Sequence, residues 1–131
     1  MKIEDLNQKQ YIDHKLENNY GILSFLRKIF KKYDIHRVAV AVSLLEKGNN
    51  LLDIGCGEGS LLLMAKNKYT NLYGVDIDTY RLEVARNNFK KEKIENKVIL
   101  KVKNINEGLG FENNFFDAVT IIATLPFIYD P

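Results

Sequence analysis

The stretch Leu51-Leu52-Asp53-Ile54-Gly55-Cys56-Gly57-Glu58-Gly59-Ser60 decides how the rest of the chain is read. A short apolar run stops at a glycine-rich turn, and Leu61-Leu62-Leu63-Met64-Ala65 follows. That order predicts a strand, a turn and a helix, which together make a ligand site. Gly55, Gly57 and Gly59 can take backbone angles closed to other residues, and without a Cβ they let a ligand lie against the main chain. A helix after the turn offers free N–H groups and a partial positive charge.

The glycine spacing separates this turn from two familiar ones. A dinucleotide turn reads G-x-G-x-x-G, but here the third glycine comes one residue early, at Gly59, and Ser60 stands in its place. A nucleoside-triphosphate loop would need G-x-x-x-x-G-K-[ST], which the chain lacks. Asp53 would repel a phosphate and suits a ligand with a cationic group. Downstream, Tyr73-Gly74-Val75-Asp76-Ile77-Asp78 ends a second apolar run on an acid. Asp76 stands 19 positions after Gly57, close to the spacing of a ribose-binding acid in a βαβ unit. A third apolar run is Phe115-Phe116-Asp117-Ala118-Val119-Thr120-Ile121-Ile122.

These three stretches, in this order and spacing, resemble the class I S-adenosylmethionine-dependent methyltransferases over about residues 50–130. The resemblance implies an α/β, Rossmann-like methyltransferase fold with a parallel sheet in the order 3-2-1-4, preceded by N-terminal helices. It also implies S-adenosyl-L-methionine as the cofactor. The chain is expected to divide into an N-terminal helical segment, 1–48, packed on a cofactor-binding part, 49–131.

Composition sets the bounds. A chain of 131 residues holds one small domain at most. With 46% hydrophobic and 27% charged residues it reads as folded rather than disordered. A net charge of +2 is too small to imply nucleic acid as a partner. The one cysteine, Cys56, excludes an internal disulfide and fits a reducing, cytoplasmic compartment. No apolar run reaches the roughly 18 residues of a membrane span, and no secretory signal is visible.

Outward from the turn, the periodicity predicts helices over 8–17 and 22–32, the second amphipathic and basic, with a turn at 18–21. If the basic helix covers the cofactor rather than merely facing solvent, Tyr11 and Tyr20 come within reach of the ligand. Residues 34–47 fit either a strand or a helix. Asp34 as N-cap and Gly48 as C-cap favour helix, with His36 on its surface. Strands are expected at 50–54, 71–75, 98–102 and 116–122, and helices at 58–68 and from Asp78 or Thr79 to Lys91. Residues 90–97 read as a solvated connection and 104–114 as a loop with a helical turn. Ligands in such sheets bind beyond the C-terminal strand ends, where the strand order reverses.

Each site residue then has an expected role. A carboxylate can accept from both hydroxyls of a ribose, and Asp76 is placed for that. Gly55, Cys56 and Gly57 let the amino-acid end of the cofactor lie on the turn. Asp53 either attracts its ammonium group or bonds the turn's own backbone. By the resemblance, Ile77 and Ile105 flank the adenine, Asn104 reads its amine, and Ala123 adds a contact after the fourth strand. Asn104 departs from the aspartate common at this point, and its alternative is a simple turn residue. Glu58 is expected to favour the helix start electrostatically. The Cys56 side chain is expected to be a small buried filler rather than a nucleophile. No catalytic residue is named, because transfer from a sulfonium needs chiefly in-line placement and desolvation. His14 and His36 form no ligand cluster, so no metal is expected.

The chain ends at Tyr129-Asp130-Pro131, just after the fourth strand, whereas the resembling domains continue with further strands. The expectation is the cofactor-binding part of a longer enzyme, or a second chain covering the apolar edge of strand four. The acceptor is expected to be a small molecule. After the fourth strand Ala123-Thr124-Leu125-Pro126-Phe127 replaces the Asn-Pro-Pro-aromatic signature of amino-methylating nucleic-acid enzymes. Two other readings stay open: a non-catalytic cofactor-binding module, and a nicotinamide oxidoreductase, which the glycine spacing and Asp53 oppose.

Overall fold

The structure, a computed structural model, describes residues 36–122 and Thr124. The elements expected at 8–17, 18–21 and 22–32 lie outside the described residues, as do Tyr11, His14, Tyr20 and Ala123.

Helix α1 covers residues 36–44. There follow β1 Gly48–Ile54, α2 Ser60–Met64, β2 Tyr69–Asp76, α3 Thr79–Lys91, β3 Val98–Val102 and β4 Ala118–Ile121. Single 3-10 turns lie at Glu95–Lys97 and Ile105–Glu107. The strands form one sheet in the order β3-β2-β1-β4, and every neighbouring pair is parallel. That is the order the family resemblance implies.

Parallel strands are covered on both faces and read as continuous apolar runs, and β1 shows why. Leu51, Leu52, Asp53 and Ile54 are all buried, yet successive side chains point to opposite faces. Leu51 joins a core with Leu62, Leu72, Leu82, Ala85 and Phe89. Leu52 and Ile54 join a smaller core with Val75, closed by Ile105, Leu109, Phe111 and Phe116 from the loop after β3. Each fully buried Leu or Phe contributes about 1.5–3 kcal/mol of transfer free energy.

Four elements differ in their boundaries from the sequence reading, each for a local reason. Helix α2 is five residues long rather than spanning 58–68. Gly59, its N-cap, is left-handed at φ 83° and delays the start. At the other end the Lys68 ammonium donates to the Val42 and Leu45 carbonyls at 2.7 and 2.6 Å. It draws the chain off the helix and leads into buried Tyr69, which opens β2 two residues early. Gly48 is no helix cap; it opens β1, donating its N–H to the Lys68 carbonyl at 3.0 Å.

Strand β4 begins at Ala118 rather than Phe116, because the preceding phenylalanines are used elsewhere. Phe116 packs edge-on against Tyr73 and Phe111, with ring centroids 5.2 and 4.8 Å apart. Next to it the Asp117 carboxylate accepts from the Asn49 and Asn50 N–H groups at 2.7 and 2.8 Å. This clamps the start of β4 to the start of β1.

Candidate functional site

The order β2-β1-β4 reverses at β1, so the tips of β1, β2 and β4 bound the crevice. The glycine turn extends the ladder at that point: the Gly55 and Cys56 N–H groups both donate to the Val75 carbonyl, at 2.8 and 3.1 Å. Gly55 and Gly57 have φ of +73° and +52°, in the region that favours glycine.

Asp76 closes the turn from β2. One carboxylate oxygen accepts from Gly57 N–H at 2.7 Å and the other from Asp78 N–H at 2.9 Å. The residue is only 8% exposed. A carboxylate has about four acceptor positions, so two bonds leave capacity for a diol. Asp78 in turn caps α3, accepting from Tyr80 and Arg81 N–H at 2.9 and 3.2 Å.

Asp53 projects from β1 in register with Thr120 of β4. Its carboxylate accepts from the Thr120 hydroxyl at 2.8 Å, not from the turn backbone. Burial pushes its pKa up from 3.8 to about 7; the Thr120 bond opposes this and the Asp76 charge adds to it. The crevice therefore holds one acid that titrates near neutrality.

Cys56 is buried, and burial first, then the Asp53 and Asp76 charges, push its thiol far up. A thiol held protonated is no nucleophile. Its sulfur lies where a Cβ on Gly74 would intrude, at 2.7 Å, so Cys56 offers a ligand its backbone only. Glu58 is exposed and precedes the Gly59 N-cap, so it stands outside the first turn that it was expected to favour.

Ile77 is 47% exposed immediately beyond Asp76, an apolar surface open to a flat ring. The Lys103 N–H donates to the Asp76 carbonyl at 3.0 Å, which brings Asn104 alongside. Asn104 caps the 3-10 turn: its side-chain oxygen accepts from Asn106 N–H at 3.1 Å, and its amide donates to Glu107 at 3.2 Å. Ile105 leans half-buried onto the smaller core. The structure thus gathers Asp53, Gly55, Cys56, Gly57, Asp76 and Ile77 around one crevice. Asn104 and Ile105 stand at its edge, engaged in local structure. His36 lies apart, in an apolar groove between α1 and β4 with Val40, Leu44, Ile121 and Ile122.

Sequence reasoning missed three residues here. Thr120 is the one polar side chain within β4, facing Asp53, and that polarity was the available signal. Thr124 fills the space that a Cβ on Gly55 would need, and its hydroxyl lies 3.3 and 3.2 Å from the Ile54 and Ile122 carbonyls. The Arg81 guanidinium fills the space beside Gly57; nothing local in the sequence announces it.

A parallel sheet with a glycine turn and an acid at adjoining strand tips defines a ligand-binding domain of the doubly wound α/β class. A methyltransferase domain family matches residues 52–131, and the chain belongs to it. Demethylmenaquinone methyltransferase of Symbiobacterium thermophilum is 28% identical over 131 residues, covering 91% of this chain and 52% of that protein. YcgJ from Bacillus subtilis is similar in structure at TM-score 0.64 and 24% identity, over 72% of this chain and 41% of that one. TrmK of M. capricolum, solved with S-adenosyl-homocysteine, reaches TM-score 0.57 at 21% identity, over 65% of this chain and 39% of that one. These two structural likenesses bear on the fold. The chain spans about half the length of the curated relatives it matches.

Proposed function

We propose that the chain is the cofactor-binding part of an S-adenosyl-L-methionine-dependent methyltransferase acting on a small-molecule acceptor. The observation that carries this reading is Asp76, locked by two backbone N–H groups at the tip of β2, beside a bare glycine turn and exposed Ile77. That arrangement suits a nucleoside: the diol on Asp76, the base against Ile77, the remainder over Gly55, Cys56 and Gly57. Asp53 faces the ammonium of the amino-acid end. Asn104 and Ile105 complete the contact set as edge residues, and Ala123, next after Ile122 in the chain, is proposed as a further contact.

When bound, S-adenosylmethionine would supply a sulfonium-activated methyl group for the acceptor's lone pair, with the carbon–sulfur bonding pair left on sulfur as a neutral thioether. The chain's part is to hold the sulfonium in line and exclude water; no catalytic base is assigned. A small-molecule acceptor is supported by the name of the demethylmenaquinone methyltransferase relative and by the family resemblance. The proposal keeps 1–48 as an N-terminal segment belonging with this part; of its described residues, Val38, Val42 and Leu45 lie on the larger core, which supports that reading. The cytoplasm is the proposed compartment. Among the described residues no helix is long and apolar enough to cross a membrane.

Calorimetric titration with S-adenosylmethionine tests the site. Asp76→Ala is expected to lose about 1.5–3 kcal/mol per diol bond, with a melting curve to separate binding from folding. Equal affinity in a folded variant would refute the assignment.

A further inference from the structure

Arg81 is a cation placed against a turn otherwise walled by acids. It belongs to the first turn of α3, where the Asp78 carboxylate fixes its backbone N–H at 3.2 Å. Helical side chains lean toward the helix N-terminus, and here that direction leads onto the glycine turn. Three guanidinium atoms crowd the position of a Cβ on Gly57, and the charge is felt at Cys56. Among the described residues the guanidinium makes no side-chain hydrogen bond or ion pair, and the residue is exposed.

The surroundings say what such a group is for. Asp53 and Asp76 are both buried at the strand tips, so the crevice repels anions. The usual remedy, the N-terminus of a long helix, is weak here, because α2 is five residues long and starts from a left-handed glycine without a side-chain cap. A zwitterionic amino-acid group needs both an anion for its ammonium and a cation for its carboxylate. Arginine presents a rigid fork of donors that matches a carboxylate in two parallel bonds.

We infer that Arg81 is a specificity-determining residue that binds the carboxylate of the cofactor's amino-acid end, across the glycine turn from Asp53. The assignment rests on the cofactor reading above. It divides the crevice into a diol-reading acid, an ammonium-reading acid and a carboxylate-reading cation.

Calorimetry on the 131-residue chain with three ligands tests it: S-adenosylmethionine, S-adenosylhomocysteine, and 5′-methylthioadenosine, which has no amino-acid end. Arg81→Gln is expected to weaken the first two by roughly ten- to a hundredfold and to leave 5′-methylthioadenosine unchanged. Arg81→Lys should recover part of the loss. Unchanged affinity for all three ligands overturns the inference. So does equal weakening of 5′-methylthioadenosine, which would make Arg81 a support of the turn's shape. A gain for S-adenosylmethionine alone also overturns it, since Arg81 would then merely oppose the sulfonium. If the unaltered chain binds none of the three, the cofactor reading itself fails; binding by that chain together with any other failed outcome removes only the role of Arg81.

Discussion

At the scale of single residues, Asp53 gives the sharpest expectation. Its carboxyl titrates near 7 in the folded chain against 3.8 ordinarily, chiefly through burial. Between those values the native state keeps a proton that the unfolded chain has released. Stability therefore falls as pH rises from about 4 to about 7. Ligand binding runs the other way, because only the ionised form attracts an ammonium. Affinity for S-adenosylmethionine should rise across about pH 6 to about 8, and the rise should vanish in Asp53→Asn. Calorimetry at several pH values, with melting curves on the same samples, checks both signs. The hydrogen-bond partner that moderates this rise, Thr120, lies 67 residues away. The sequence left Asp53 between ammonium and turn backbone because nothing near Asp53 tells that sheet pairing sets it opposite Thr120, the one polar residue of β4. Asn104 is the opposite case: its turn-cap role rests on Asn106 and Glu107 next door, and the turn reading was available from the start.

At the scale of elements, legibility followed the strength of local signals. Helix α3 and strand β3 match the expected boundaries, since Asp78 is a genuine side-chain cap and Val98 follows a charged connection. Helix α2 was read too long because its apolar run outlasts the helix, and the residue that shortens it acts through conformation. Gly59 sits at φ +83°, with the Phe89 ring where a Cβ would go. Gly59→Ala should cost at least about 1–2 kcal/mol for the left-handed backbone alone, measured by urea denaturation, with displacement of Phe89 adding to it. The β1–β4 clamp yields a second expectation. Asp117 is held below the usual carboxylate range by the Asn50 and Asn49 N–H groups. Its contribution is present above its unfolded pKa and lost as pH falls through the folded one. Asp117→Ala should lower the melting temperature at neutral pH, and the difference from the parent chain should shrink in acid.

At the scale of the molecule, strand–helix alternation made the parallel sheet legible, and its order followed from the family resemblance that the three apolar runs carry. What covers the sheet was not legible. Val119 on β4 is 51% exposed, and Leu44 on α1 is 79% exposed. Unpaired strand edges with apolar side chains invite association. Sedimentation of the 131-residue chain should show self-association that grows with concentration, and Val119→Lys should reduce it. An ideal monomer at every concentration would contradict this.

The double grip of Asp76 on the Gly57 and Asp78 amides reaches beyond affinity. A crevice stapled shut by its own acid is moulded before any guest arrives, so little rearrangement accompanies capture. Both amides should trade hydrogen for deuterium slowly even in the vacant protein, and cutting that staple should quicken them together.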